Sequence, residues 1–171
     1  MTNLNPDAML RVDQAGEYGA KRIYAGQLAV LGNRHPIARD IGHMAAQEQV
    51  HLDRFNGMIA ERGVRPTLLQ PVWHVAGFAL GAATALIGPK AAMACTVAIE
   101  TEIDKHYGAQ LDALGNADPE LSDAIRTFQA EEVEHKEAAL AAGAEEAPGY
   151  PILSAAIRFG CRMAIRLSER V

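Results

Sequence analysis

The sequence predicts an all-α fold, a four-helix bundle made from one helical hairpin written twice, and three observations point to it. Aromatics are only 5% of the 171 residues while Ala, Gly and Glu are plentiful, which suits close-packed helices better than sheets built on Val, Ile, Tyr and Phe. Apolar residues recur at three- and four-residue steps, and no strand alternation is found. Gly-Asn and Pro signals stop and restart the pattern at helix-length intervals.

In chain order, Asn5-Pro6 opens a run that ends near Leu31, where Gly32 and Asn33 supply a left-handed cap. Pro36 restarts the pattern, which carries Ile37, Ile41, Met44, Leu52, Phe55, Met58 and Ile59 to Gly63, so 5–63 is a first helical hairpin. Pro66 and Pro71 mark a connector. From Pro66 to Ile99 the only formal charge is Lys90, and Pro89 divides this stretch into an apolar, membrane-facing hairpin segment, 72–88, and a helix that runs to Leu114. Asp118-Pro119 repeats the restart chemistry, with Asp118 as N-cap. The second helical hairpin is therefore 90–142. After a second connector, 152–171 forms a C-terminal basic amphipathic helix. Residues 1–171 are expected to make a single domain.

The net charge of −5 leaves no general excess of Lys and Arg for wrapping nucleic acid. Cys95 and Cys161 stand alone in apolar runs without a CxxC, which argues against a zinc knuckle or a disulfide scaffold and for a reducing compartment. The N-terminal MTNLNPDAML has neither signal nor transit character.

The chemistry lies in two Glu-x-x-His pairs, Glu48/His51 and Glu132/His135, whose spacing puts both side chains on one helical face. Glu17 lies upstream of the first pair and Glu100 upstream of the second, at nearly the same separation, with a Gly-Asn turn midway in each case. A helix that climbs and then descends at about 1.5 Å per residue brings each upstream Glu level with its Glu-x-x-His. Tyr24 and Tyr107 each follow the upstream Glu by seven residues, so the repeat reads Glu-x6-Tyr, turn, Glu-x-x-His. Four carboxylates and two imidazoles converging in a four-helix core are the ligand set of di-iron and di-manganese carboxylate proteins. Hard carboxylates balance and bridge two divalent cations, and neutral imidazoles complete each one.

These residues resemble a known family. Arg11-Val12-Asp13-Gln14-Ala15-Gly16-Glu17-Tyr18-Gly19-Ala20, the run from Arg22 to Gln27, Lys90 to Ala98, Glu131-Glu132-Val133-Glu134-His135 and Leu167-Ser168-Glu169-Arg170 are similar to the demethoxyubiquinone hydroxylases, di-iron monooxygenases of ubiquinone biosynthesis with a ferritin-like fold. The resemblance implies that Glu17, Glu48, His51, Glu100, Glu132 and His135 hold two iron ions. It also implies that His106 and Tyr107 serve catalysis beside the quinone, that dioxygen is co-substrate, and that electrons come from an external donor such as NADH. Implied partners are a polyprenyl quinone, membrane lipid, other ubiquinone-biosynthesis proteins and further copies of the chain, with no nucleic acid. The implied location is the cytoplasmic face of a bacterial inner membrane, since the presequence of mitochondrial members is not seen.

Other positions stay open in the sequence. Tyr24 and Tyr107 can be ordinary core tyrosines, and His106 a structural histidine. Asp13 is either a surface acid or the orienting partner of a ligand histidine. Glu102, Glu131 and Glu134 read as solvated. Arg158, Arg162, Arg166 and Arg170 recur at four-residue steps, a pattern suited to anionic lipid. If 72–88 crossed a bilayer, the two halves of the ligand set would be separated, so it must lie on the surface or form a re-entrant wall. The function expected is ring hydroxylation of a demethoxy-benzoquinone or quinol. The alternatives are a ferritin-like iron-storage protein with ferroxidase activity and a metal-free structural bundle.

Overall fold

A computed structural model describes residues 5–171. The first four residues, counted above in the domain and in the N-terminal reading, lie outside it. The described residues form an all-α, ferritin-like bundle: α1 (Pro6–Leu31), α2 (Ala38–Arg62), α3 (Gln70–Ile87), α4 (Pro89–Leu114), α5 (Pro119–Ala141) and α6 (Tyr150–Ser168), with a 3₁₀ turn at Ala144–Glu146 before α6. No strand occurs among them. Pro begins five of these helices at the first or second position, where its missing N–H costs nothing. Asn5 caps α1 through Asp7 N, and Asp118 caps α5 through Leu121 N. α2 starts two residues after Pro36 and has no side-chain cap.

α1 and α2 form one hairpin, α4 and α5 the other, and their apolar faces make two clusters. One gathers Met9, Leu10, Phe55, Met58, Ile103, Leu121 and Ile125. The other gathers Ile41, Met44, Ala91, Ala92, Ala94 and Ala139. On α2, α4 and α5 one set precedes and the other follows the candidate ligand, which places those polar residues between two dry layers.

The apolar segment 72–88 is not a hairpin of its own. It is one helix, α3, lying parallel to α1 with its backbone against it: a Cβ on Gly77 would come within 2.9 Å of the Gly19 carbonyl, and Gly81 and Gly26 likewise face opposing backbone. Only glycine permits that approach. Val72, Val75, Leu86 and Ile87 remain exposed on the other side of α3. α6 packs Leu153, Ile157 and Cys161 inward and leaves Ile152, Phe159, Met163 and Leu167 exposed. Its C-terminal end is tied to the connector before α3 and to α3 itself, by Thr67 Oγ1 donating to Val171 O at 2.6 Å and Trp73 Nε1 donating to Ser168 Oγ at 3.0 Å.

The arginine row of α6 differs from the lipid-facing stripe expected. Arg158 Nε lies 2.6 Å and Arg162 Nη1 3.2 Å from Glu102 Oε1 on α4. Glu102 is thus nearly buried instead of solvated, and its carboxyl sits below the usual range because the hydrogen bonds from the two guanidinium groups outweigh its burial. Arg166 and Arg170 stay exposed.

Candidate metal centre

The amphipathic pattern that buries four apolar faces also buries whatever polar residues interrupt them. Glu17 on α1, Glu48 and His51 on α2, Glu100 on α4, and Glu132 and His135 on α5 are each at most 2% exposed. They converge as two overlapping groups. Ligand-type atoms of Glu17, Glu48, His51 and Glu132 lie within 4.8 Å of one another, and so do those of Glu48, Glu100, Glu132 and His135. Glu48 and Glu132 belong to both. Each imidazole turns Nδ1 inward: His51 Nδ1 is 3.3 Å from Glu17 Oε2 and 3.1 Å from Glu132 Oε1, and His135 Nδ1 is 3.0 Å from Glu132 Oε2 and 3.4 Å from Glu48 Oε1.

Burial and mutual repulsion decide the electrostatics. Desolvation, then the charge of Glu132, pushes the carboxyls of Glu48 and Glu100 well above the usual range. Burial alone would lower His51, yet hydrogen bonds with Glu132 and Glu17 raise it to about 10. The same kind of contact works in reverse on Glu132, where bonds from His135 and His51 overcome burial and hold the carboxyl low. Both oxygens of Glu48 and Oε2 of Glu100 are buried without a hydrogen-bond partner. Orphaned carboxylate oxygens aimed at one another, flanked by two imidazole Nδ1 atoms, fit a pair of divalent cations: two groups of four donors, joined by two carboxylates that can bridge.

The groups around the cluster repeat the duplication across the bundle. Tyr24 donates to Glu100 Oε1 at 2.8 Å, and Tyr107 donates to Glu17 Oε1, so each tyrosine serves the upstream Glu of the other hairpin. Burial, then the carboxylate beside each, raises both phenols well above their usual value, which keeps them donors. Outward from His51, Nε2 reaches Glu131 Oε2 at 2.5 Å, and His135 Nε2 donates to Gln47 Oε1 at 3.0 Å. The Glu131 side chain is 33% exposed, so it is partly solvated as expected and also meets a candidate ligand, whereas Glu134 is on the surface.

Asp13 is neither a surface acid nor attached to a ligand histidine. It is 2% exposed, and its Oδ1 lies 3.2 Å from His106 Nε2 and accepts from Gln110 Nε2 at 2.8 Å. His106 is partly exposed and lines a cavity of about 290 Å³ between α4 and α6, with Lys105, Arg162 and Arg166 at its wall. Gln110 was missed in the sequence, although the signal was present: Gln27 and Gln110 each stand three residues after the repeated Tyr, extending the pattern to Glu-x6-Tyr-x2-Gln.

Residues 5–168 match the family model described as ubiquinone biosynthesis protein COQ7. The chain is 58% identical over 165 residues to a 3-demethoxyubiquinol 3-hydroxylase of Rhodospirillum rubrum, covering 96% of this chain and 78% of that protein. It is 52% identical over 169 residues to the human mitochondrial NADPH-dependent 3-demethoxyubiquinone 3-hydroxylase, covering 96% and 77%. It is 41% identical over 181 residues to the mitochondrial 5-demethoxyubiquinone hydroxylase of Saccharomyces cerevisiae, covering 96% and 78%.

Proposed function

The chain belongs to the family of ubiquinone biosynthesis protein COQ7, and we propose on that premise that it is a di-iron monooxygenase which hydroxylates the vacant ring carbon of a polyprenyl demethoxy-benzoquinone or quinol. It is an enzyme of the hydroxylase class, as its relatives are named. The observation that carries the finer reading is the pair of four-donor groups sharing Glu48 and Glu132. Glu17, Glu48, His51, Glu100, Glu132 and His135 would hold two irons. When bound, iron supplies the reductive activation of dioxygen that a ring C–H bond requires, with electrons from an external donor such as NADH or NADPH.

The chain's own residues do the rest. The apolar layers on either side exclude water from the centre. Tyr24 and Tyr107 fix Glu100 and Glu17 by donating to one oxygen of each. His106, reached from the cavity between α4 and α6 and held by Asp13 and Gln110, can carry a proton between water and the quinone oxygen, and Tyr107 lies next to it in sequence. All of 5–171 acts as one domain in this reading, because the donors come from both hairpins.

α3 is the one helix among the described residues long and apolar enough to cross a membrane. Its backbone contact with α1 favours lying on a lipid surface beside α6, since both expose apolar side chains. A polyprenyl tail would then stay in lipid while the ring enters the bundle. With Arg158 and Arg162 engaged by Glu102, the exposed Arg166 and Arg170 carry the attraction to anionic headgroups, and replacing both by Gln should blunt the salt dependence of vesicle flotation. Unchanged flotation removes that role.

Labelled dioxygen, a reductant and a short-tailed substrate test the reaction. The expected product carries one labelled oxygen on the ring. Label arriving only from water, or no hydroxylated product from a loaded and reduced chain, would overturn the reading in favour of iron storage.

A further inference from the structure

The duplication breaks at one pair of residues that touch the candidate ligands. His51 and His135 both turn Nε2 outward, and each outward nitrogen meets the residue that precedes the Glu-x-x-His of the opposite hairpin. For His51 that residue is Glu131, with its Oε2 at 2.5 Å; for His135 it is Gln47, with its Oε1 at 3.0 Å. The two side chains have the same length and occupy mirror positions. One is a carboxylate and the other a neutral amide.

We infer that this difference makes the two cation positions unequal: the one formed by Glu17, Glu48, His51 and Glu132 binds a divalent cation more tightly than the one formed by Glu48, Glu100, Glu132 and His135. The inference rests on the two-cation reading of the centre. A carboxylate that accepts the N–H of an imidazole draws the proton toward itself and enriches the lone pair on the other nitrogen, so Nδ1 becomes the stronger donor. An amide carbonyl does this weakly. The candidate ligands themselves are otherwise matched. Both positions share Glu48 and Glu132, each contains one histidine with Nδ1 inward, and each upstream Glu accepts one tyrosine hydroxyl. Glu131 and Gln47 are not ligands; they are positioning residues that act through the histidines.

The test is a titration of the metal-free chain with Co²⁺, followed by the absorption of the bound ion and by calorimetry, with circular dichroism reporting helix content. Wild type should bind two ions in two steps separated by about tenfold or more. His51→Ala should remove the tight step and His135→Ala the weak one. Glu131→Gln should weaken the first step toward the second, and Gln47→Glu should strengthen the second toward the first. The exchanged variant carrying both substitutions should reverse the order, so that adding His51→Ala to it removes the weak step. These are isosteric changes at the edge of the cluster, and retained helix content separates their effect from unfolding. Two equal steps in wild type, or a first step unmoved by Glu131→Gln, would overturn the inference. A folded wild-type chain that binds no Co²⁺ would overturn the two-cation reading beneath it.

Discussion

The two hairpins supply nearly the same inner atoms and very different surroundings. In one half the residue before the repeated tyrosine is Ile23, and in the other it is His106. Four residues before the upstream glutamates stand Asp13 and Thr96. Asp13 binds His106 and Gln110, giving a polar contact that leads from Glu17's neighbourhood to a surface cavity. The mirror groups close up instead: Gln27 donates to Ala92 O at 3.0 Å, Thr96 bonds the same carbonyl, and Ile23 is buried in the apolar cluster. The repeat thus keeps its carboxylate core in both halves, while the polar contact that reaches a surface cavity is found on the His106 side.

The largest effect expected concerns what the halves share. Glu48 and Glu132 enter both four-donor groups, so a Glu48→Ala, Glu132→Ala chain should fall from about two irons to none. His51→Ala or His135→Ala should each remove about one. Elemental analysis of the reconstituted chains checks this, and full iron in the double variant would show that Glu48 and Glu132 are not the shared ligands.

Next in size is the point where the halves differ. His106→Ala should lower turnover by roughly 10²- to 10⁴-fold, the range for a lost acid–base group, while iron content holds. Ile23→Ala, its mirror, should cost roughly 2–5 kcal/mol of stability, as expected for a truncated core side chain, and leave turnover per folded, iron-loaded chain unchanged. Kinetics and thermal melts on both variants decide it. Equal loss of turnover at the two positions would show that no side of the centre is special.

How much of this the sequence displayed depends on the range of each contact. The six candidate ligands were legible because helical spacing and a doubled pattern act over short distances, and the same arithmetic located both turns. The partners of Glu131, Glu102 and Asp13 stayed hidden because they are remote: Glu131 meets His51 across 80 residues, Asp13 meets His106 across 93, and Glu102 meets Arg158 across 56. A carboxylate beside a ligand looks solvated until another helix is laid over it. The arginine row of α6 carries the same lesson, since its period says that one face is basic without saying that Arg158 and Arg162 meet Glu102. The glycines of α3 are inconspicuous in an apolar stretch, yet they mark backbone contact with α1.

The smallest effect separates the two turns that join each hairpin. α2 begins without a side-chain cap, while Asp118 caps α5 through Leu121 N at 3.1 Å and also pairs with Arg62 at the far end of α2, fastening the first hairpin to the second. Arg62, then the Leu121 N–H, holds the Asp118 carboxyl below its usual value despite partial burial. A carboxyl whose folded value is depressed stabilises the fold above its unfolded value of about 3.9 and loses that contribution as pH falls through the folded value. Asp118→Ala should therefore cost about 1 kcal/mol at neutral pH, the usual worth of an N-cap, and progressively less in acid. Ile37→Ala, at the uncapped start of α2, removes no charge and should give a loss that does not fade over the same range. Denaturant melts of the two variants against wild type, at pH 7 and near pH 3, make the comparison. A deficit for Asp118→Ala that persists unchanged in acid would show that the turn depends on packing alone, and that the two connections are equivalent after all.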